Sequence, residues 1–229
     1  MRKRSNPDFV NPKTVKFNKN PQQELIIVLD RSGSMADCWD DTLGGLNTYL
    51  DTIEETSEKE NIDTYVTINA FDDQFMTLVP RTNVSAIPRV TGTMVQPRGW
   101  TALYDAIGKT LVEMHPGLNT KVLFVVITDG GENSSQEFNQ QRIVSMIRER
   151  EMHPNWTIVT LGANIDAWTA GSSYGSVNVR NTMSYNKADT RTMFAGLCNS
   201  TISYMASDNA KSVAFFDGDD TKLATSVSK

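Results

Sequence analysis

The chain is poor in the residues that build most catalytic and metal centres. Its 229 residues include two cysteines, Cys38 and Cys198, and two histidines, His115 and His153. Two distant cysteines make neither a disulfide framework nor a CxxC pair. Long apolar stretches are missing too. The longest runs are Val122–Ile127 and Leu25–Leu29, whereas a membrane span needs about 20 residues. The opening MRKRSNPDFV is basic but has no apolar segment behind it, so no secretory signal is expected. Gly-x-Gly-x-x-Gly, the P-loop and His-Glu-x-x-His are all absent. These absences predict a protein of a reducing, cytoplasmic compartment, with no membrane partner.

What remains supports a packed core, with 39% hydrophobic and 21% charged residues, and excludes wholesale disorder. The length suits one large α/β domain. Charge is uneven. Residues 1–23 carry six basic side chains and one acid, against 16 basic and 26 acidic in the rest. An acidic body argues against nucleic-acid binding. Residues 1–23, with Pro7, Pro12 and Pro21, read as a basic extended arm. Residues 208–229 read as a polar tail that frays.

Between them, apolar strands alternate with helices. Leu25–Leu29 and Lys121–Thr128 are predicted buried strands. Trp39, Leu43, Leu46, Leu50 and Ile53 recur at helical spacing. Tyr65–Phe71 alternates, Asp72-Asp73 makes a turn, and Gln74–Val79 returns as an antiparallel strand. Helices are expected after Thr101, which reads as an N-cap, at about Gln136–Met152, near Asp166–Tyr174 and at about Ala188–Ala206. Strands are expected at Trp156–Leu161 and, weakly, at Val177–Val179. His115 and His153 each follow Glu-Met and precede Pro, which reads as helix termination. The pattern predicts a doubly wound, Rossmann-like α/β fold: a mostly parallel six-stranded sheet, one antiparallel edge strand, and helices on both faces.

In such sheets ligands bind beyond the carboxyl ends of the strands. Three segments are expected there: Asp30-Arg31-Ser32-Gly33-Ser34, Gly99-Trp100-Thr101 and Thr128-Asp129-Gly130. They offer hydroxyls from Ser32, Ser34 and Thr101 and carboxylates from Asp30 and Asp129. These are hard oxygen donors without accompanying imidazole or thiolate. The set predicts a magnesium site, with Mn²⁺ or Ca²⁺ as alternatives, rather than zinc or a redox metal. Capping and turn chemistry is the competing reading of each segment taken alone. Asp105, one turn beyond Thr101, reads either as a cap or as an orienter of metal-bound water. Trp100 reads either as a rim anchor or as a core residue, and Glu132 and Asn133 as loop residues in solvent.

Over about residues 24–207 the chain resembles the von Willebrand factor type A (VWA) domains, most of all short prokaryotic and bacteriophage members. The resemblance rests on D-R-S-G-S-M at 30–35, R-G-W-T-A-L-Y-D-A-I at 98–107 and V-V-I-T-D-G-G-E-N at 125–133. Together these are similar to the family's metal-ion-dependent adhesion site. The resemblance implies that Ser32, Ser34 and Thr101 bind the metal directly and that Asp30 and Asp129 act mostly through water. It also implies a protein partner that supplies an Asp or Glu to the open position. The expectation is a non-catalytic binding module of a bacterial or phage-infected cell. The alternative is an assembly subunit, virion-associated, that forms a homo-oligomer through residues 1–23. A metal-assisted hydrolase is disfavoured, because no base accompanies the site.

Overall fold

The computed structural model describes residues 22–117, 120–165, 167–175, 178–207 and 214–216. Among the described residues six strands form one sheet: β1 (Gln22–Asp30), β2 (Asp63–Phe71), β3 (Phe75–Asn83), β4 (Lys121–Thr128), β5 (Trp156–Ala163) and β6 (Thr182–Tyr185), in the order β3-β2-β1-β4-β5-β6. All neighbours are parallel except β2 and β3, so β3 is the antiparallel edge strand. The helices are α1 (Trp39–Glu60), α2 (Leu103–Glu113), α3 (Gln140–Met152), α4 (Ala167–Ser173) and α5 (Thr190–Ala206).

β1 sits centrally, and alternate residues enter two different cores. Leu25, Ile27 and Leu29 pack with residues of α1 and α5, while Ile26 and Val28 pack with residues of α2 and α3. Burial on both faces explains why β1 and β4 are unbroken apolar runs. Each fully buried Leu, Ile or Val there contributes about 1.5–3 kcal/mol. Against the α1 face, Tyr49 bridges to Thr201 of α5 by a 2.9 Å hydroxyl–hydroxyl bond. Among the described residues no helix is long and apolar enough to cross a membrane.

Several expectations need correction. β1 begins at Gln22, because β2 pairs Gln22 and Gln23 through its backbone despite their polar side chains; the rest of the arm, residues 1–21, lies outside the described residues. α3 begins at Gln140, not Gln136, with Asn139 as its cap. The last strand is at Thr182–Tyr185, not Val177–Val179. Val179–Asn181 is a 3-10 turn and Val177 lies outside the described residues. β-Branched propensity favoured the valines. The actual strand is set by parallel pairing to β5, which buries Met183 and Tyr185. Within the polar tail, Phe215 and Phe216 are buried in the α1/α5 core. The Phe215 amide donates to Asn181 Oδ1 at 3.0 Å and the Phe216 amide to Arg180 O at 3.1 Å. Residues 208–213 and 217–229 lie outside the described residues.

Close approach of α1 and α5 depends on Gly45. A Cβ at this position would lie 2.1 Å from the buried Phe194 ring. Gly45→Ala is therefore expected to destabilise the domain by about 1–3 kcal/mol, read as a lowered urea midpoint. Gly44→Ala, which meets no atom within 4 Å, should hold or raise that midpoint, since alanine favours the helix.

Candidate metal site

Strand order reverses about β1: the chain proceeds to β2 and β3 on one side, and β4–β6 lie on the other. The β1/β4 junction is thus the topological switch point. Asp30 ends β1 and Thr128 ends β4. The Asp30 carboxylate is fully buried and ties the two ends together. Its Oδ1 accepts the Ser32 amide at 2.7 Å and its Oδ2 accepts the Thr128 hydroxyl at 2.6 Å. Ser32 Oγ lies 3.1 Å from Ser34 Oγ, and Ser34 Oγ donates to Asp129 Oδ1 at 2.7 Å. Four of the five sequence-predicted donors therefore form one linked chain.

The fifth donor, Thr101, arrives on a clamped loop. Asp72, fully buried after β2, is the clamp's centre. It pairs with Arg31 at 3.2 Å and Arg98 at 2.7 Å, and accepts the Gln74 amide at 2.6 Å. Its carbonyl accepts the Ala102 amide at 2.9 Å. The loop is also fastened to the β1 end by Arg98 N to Arg31 O at 2.8 Å and Gly33 N to Gly99 O at 3.2 Å. Gly99 has φ +66, where a side chain is strained, and a Cβ there would displace Asp73 Oδ1 from 2.2 Å, so glycine is favoured. The result buries Thr101 with its hydroxyl beside Gly130, within 3.4 Å of where a Cβ would stand.

Thr101 is not the cap of α2. The N-cap position is Ala102, without a side-chain bond. The first-turn amides are satisfied from another loop: Tyr104 N donates to Glu132 Oε2 at 2.9 Å and Asp105 N to Ser135 Oγ at 3.0 Å. An anion at a helix N-terminus is favourable. Asn133 Oδ1 accepts the Thr101 amide at 2.9 Å, and the Asn133 amide donates to Thr101 O at 3.0 Å. Glu132, half-buried, and Asn133, exposed, are loop residues as expected, and both also serve as structural links. Asp105 is committed as well: its carboxylate accepts the Gln136, Glu137 and Phe138 amides at 2.8–2.9 Å. It caps the turn before α3, and its two oxygens are engaged away from the Ser32–Asp129 chain. These long-range caps leave the Thr101 hydroxyl uncommitted to helix capping.

Sequence reasoning missed Lys187, in the 3-10 turn after β6. Its ammonium lies 2.6 Å from Asp129 Oδ2 and donates to Ser34 O at 2.6 Å. The Asp129 contact is a close ion pair with a carboxylate whose side chain has no exposed surface. Burial alone would lower the ammonium's pKa, but the Asp129 carboxylate outweighs it and holds it above the ordinary lysine value. The spacing gave no signal for this contact, because Lys187 lies in a polar stretch far along the chain from Asp129.

Among the described residues no three His, Cys, Asp or Glu side chains converge. The hydroxyls and carboxylates gathered at the strand ends are oxygen donors of the kind a divalent cation accepts. His115 and His153 follow the last turns of α2 and α3, as predicted. Trp100 is 68% exposed, so it is not a core residue.

A doubly wound sheet with an oxygen cluster at its switch point defines the class. The comparisons with solved structures place it more narrowly. Proximal thread matrix protein 1 from the mussel byssus superposes with a TM-score of 0.58 at 14% identity, over 80% of this chain and 47% of that one. A von Willebrand factor type A protein from Catenulispora acidiphila gives 0.57 at 12%, over 80% and 43%. The pilus adhesin SpaC from Lactobacillus rhamnosus GG gives 0.63 at 10%, over 81% and 30%. The mussel protein is also known with a zinc-occupied metal-ion-dependent adhesion site. The chain has the von Willebrand factor type A fold, and spans less than half the length of these proteins. No family model and no curated protein sequence matches it.

Burial raises the Asp30 pKa from 3.8 to about 6, against the Thr128 and Ser32 bonds that lower it. In the metal-free protein the folded state therefore holds this proton more tightly than the unfolded chain. The resulting stability is complete below pH 3.8 and is lost as pH rises through about 6. Wild type should lose up to roughly 3 kcal/mol relative to Asp30→Asn across that window. Urea titrations of both proteins in EDTA at several pH values measure the difference, and parallel profiles would contradict it.

Proposed function

We propose that this domain is a non-catalytic, divalent-cation-dependent protein-binding module. The observation that carries the reading is the convergence of Asp30, Ser32, Ser34 and Asp129 at the switch point, with the Thr101 hydroxyl brought beside Gly130. Ser32, Ser34 and Thr101 would hold the cation directly, and Asp30 and Asp129 would hold it through water. Mg²⁺ is the first choice by donor chemistry, with Mn²⁺ or Ca²⁺ as alternatives. When bound, the cation supplies a positive charge only partly neutralised by the protein, to which a partner's Asp or Glu is attracted.

The chain's own residues do the rest. The Asp72 clamp and the Asn133 link hold Thr101 in place before a partner arrives, which reduces the ordering cost of binding. Exposed Trp100, next to Thr101 in the chain, would supply apolar contact to a partner. No histidine is near enough to serve as a base, which favours binding over hydrolysis. Free, buried Cys38 and Cys198 fit a cytoplasmic setting.

Mg²⁺ or Mn²⁺ should raise the melting temperature of wild type by mass action. Asp30→Asn should abolish the rise, and His115→Gln with His153→Gln should retain it. A full thermal shift in Asp30→Asn would reject the site. A pull-down from host lysate with Mg²⁺ against EDTA identifies the partner. Thr101→Ala should then weaken that partner's calorimetric affinity at least tenfold while leaving the fold intact, because no helix cap is lost. Equal affinities for both proteins, with and without EDTA, would remove the metal bridge.

A further inference from the structure

Lys187 is built into the site, not resting against it. Its own amide donates to Asn164 Oδ1 at 3.0 Å, and its carbonyl accepts the Thr190 hydroxyl at 2.7 Å. Asn164 in turn has φ +54 and donates its amide to Tyr185 O at 2.7 Å. The ends of β5 and β6 thus fix the backbone from which the side chain reaches inward. Only 18% of that side chain is exposed. Its ammonium contacts two of the segments that make up the oxygen cluster: the Asp129 carboxylate, with no exposed side-chain surface of its own, and the carbonyl of Ser34.

An unpaired buried carboxylate is costly, so the folded metal-free site needs a counter-charge. A divalent cation held by Ser32, Ser34 and the water around Asp129 would stand next to that ammonium, and like charges repel strongly where water is scarce. Asp129 offers Oδ1 to Ser34 and Oδ2 to Lys187, so neither oxygen faces an incoming cation without a competitor. We propose that Lys187 is a tethered counter-cation that competes with the divalent ion for Asp129 and the Ser34 segment. It would hold the site together when metal is absent and weaken intrinsic metal affinity. An anionic oxygen from outside, which restores the missing negative charge, would then be needed for tight metal binding. This inference rests on the metal-dependent reading above.

The test uses the full chain as wild type, Lys187→Met and Lys187→Gln, each checked for folding by circular dichroism. Calorimetric titration with Mn²⁺ alone should show at least tenfold tighter binding in both variants. Unchanged or weaker Mn²⁺ affinity would overturn the competition. In EDTA both variants should melt below wild type, and that difference should vanish in an Asp129→Asn background. An EDTA melt unmoved by the Lys187 substitutions would overturn the counter-cation role. Absence of Mn²⁺ binding in every protein would overturn the metal-dependent reading and the competition with it. The EDTA melts would still decide separately whether Lys187 neutralises Asp129.

Discussion

The Asp30 carboxylate, buried without exposed surface at the end of the central strand, is bonded to Ser32 N on its own loop and to Thr128 Oγ1 at the end of β4. Two parallel strands can diverge beyond their last ladder bond, and this carboxylate prevents that. The geometry of Ser32, Ser34 and Asp129 follows from it. The arrangement has a cost, because burial pushes the acid toward its protonated form. Such a perturbed carboxylate at a strand end is what a cation or other positive ligand would relieve.

Around this bond the domain separates the support of the loops from the presentation of donors. α2 is capped by Glu132 and Ser135 from the loop after β4, and that loop's own amides are gathered by Asp105 of α2. The two segments cap each other. On the other flank Asp72 carries two arginines. Removing one partner from such a network strands a buried charge. Rigidity is bought with buried polar groups, and it leaves the hydroxyls of Ser32, Ser34 and Thr101 free of capping duty.

Legibility in the sequence varied with how far each feature depends on distant residues. β1, β4 and α1 were readable because each carries its own signal: continuous apolar runs, or apolar residues at helical spacing. That the three oxygen-bearing segments would lie at strand ends and a helix start was readable because two of them end apolar strands and the third enters a helix. The sixth strand was not, because Thr182–Tyr185 alternates only weakly and is chosen by β5. Phe215 and Phe216 were hidden in a polar tail, and only their docking against Tyr204, the Arg180 carbonyl and the Asn181 side chain shows them to be core.

The residue order alone determined the layered α/β class, the antiparallel edge strand and which segments carry hydroxyls and carboxylates to the strand ends, since periodicity and strand ends are local properties of the chain. Tertiary structure decided which charges face those donors. Asp72, Asp105 and Glu132 became supports, and Lys187 became the neighbour of Asp129, through contacts between segments far apart in sequence. A charged side chain carries no periodic mark of its partner. Its role is set only when folding brings another charge within a few ångströms and removes the water between them.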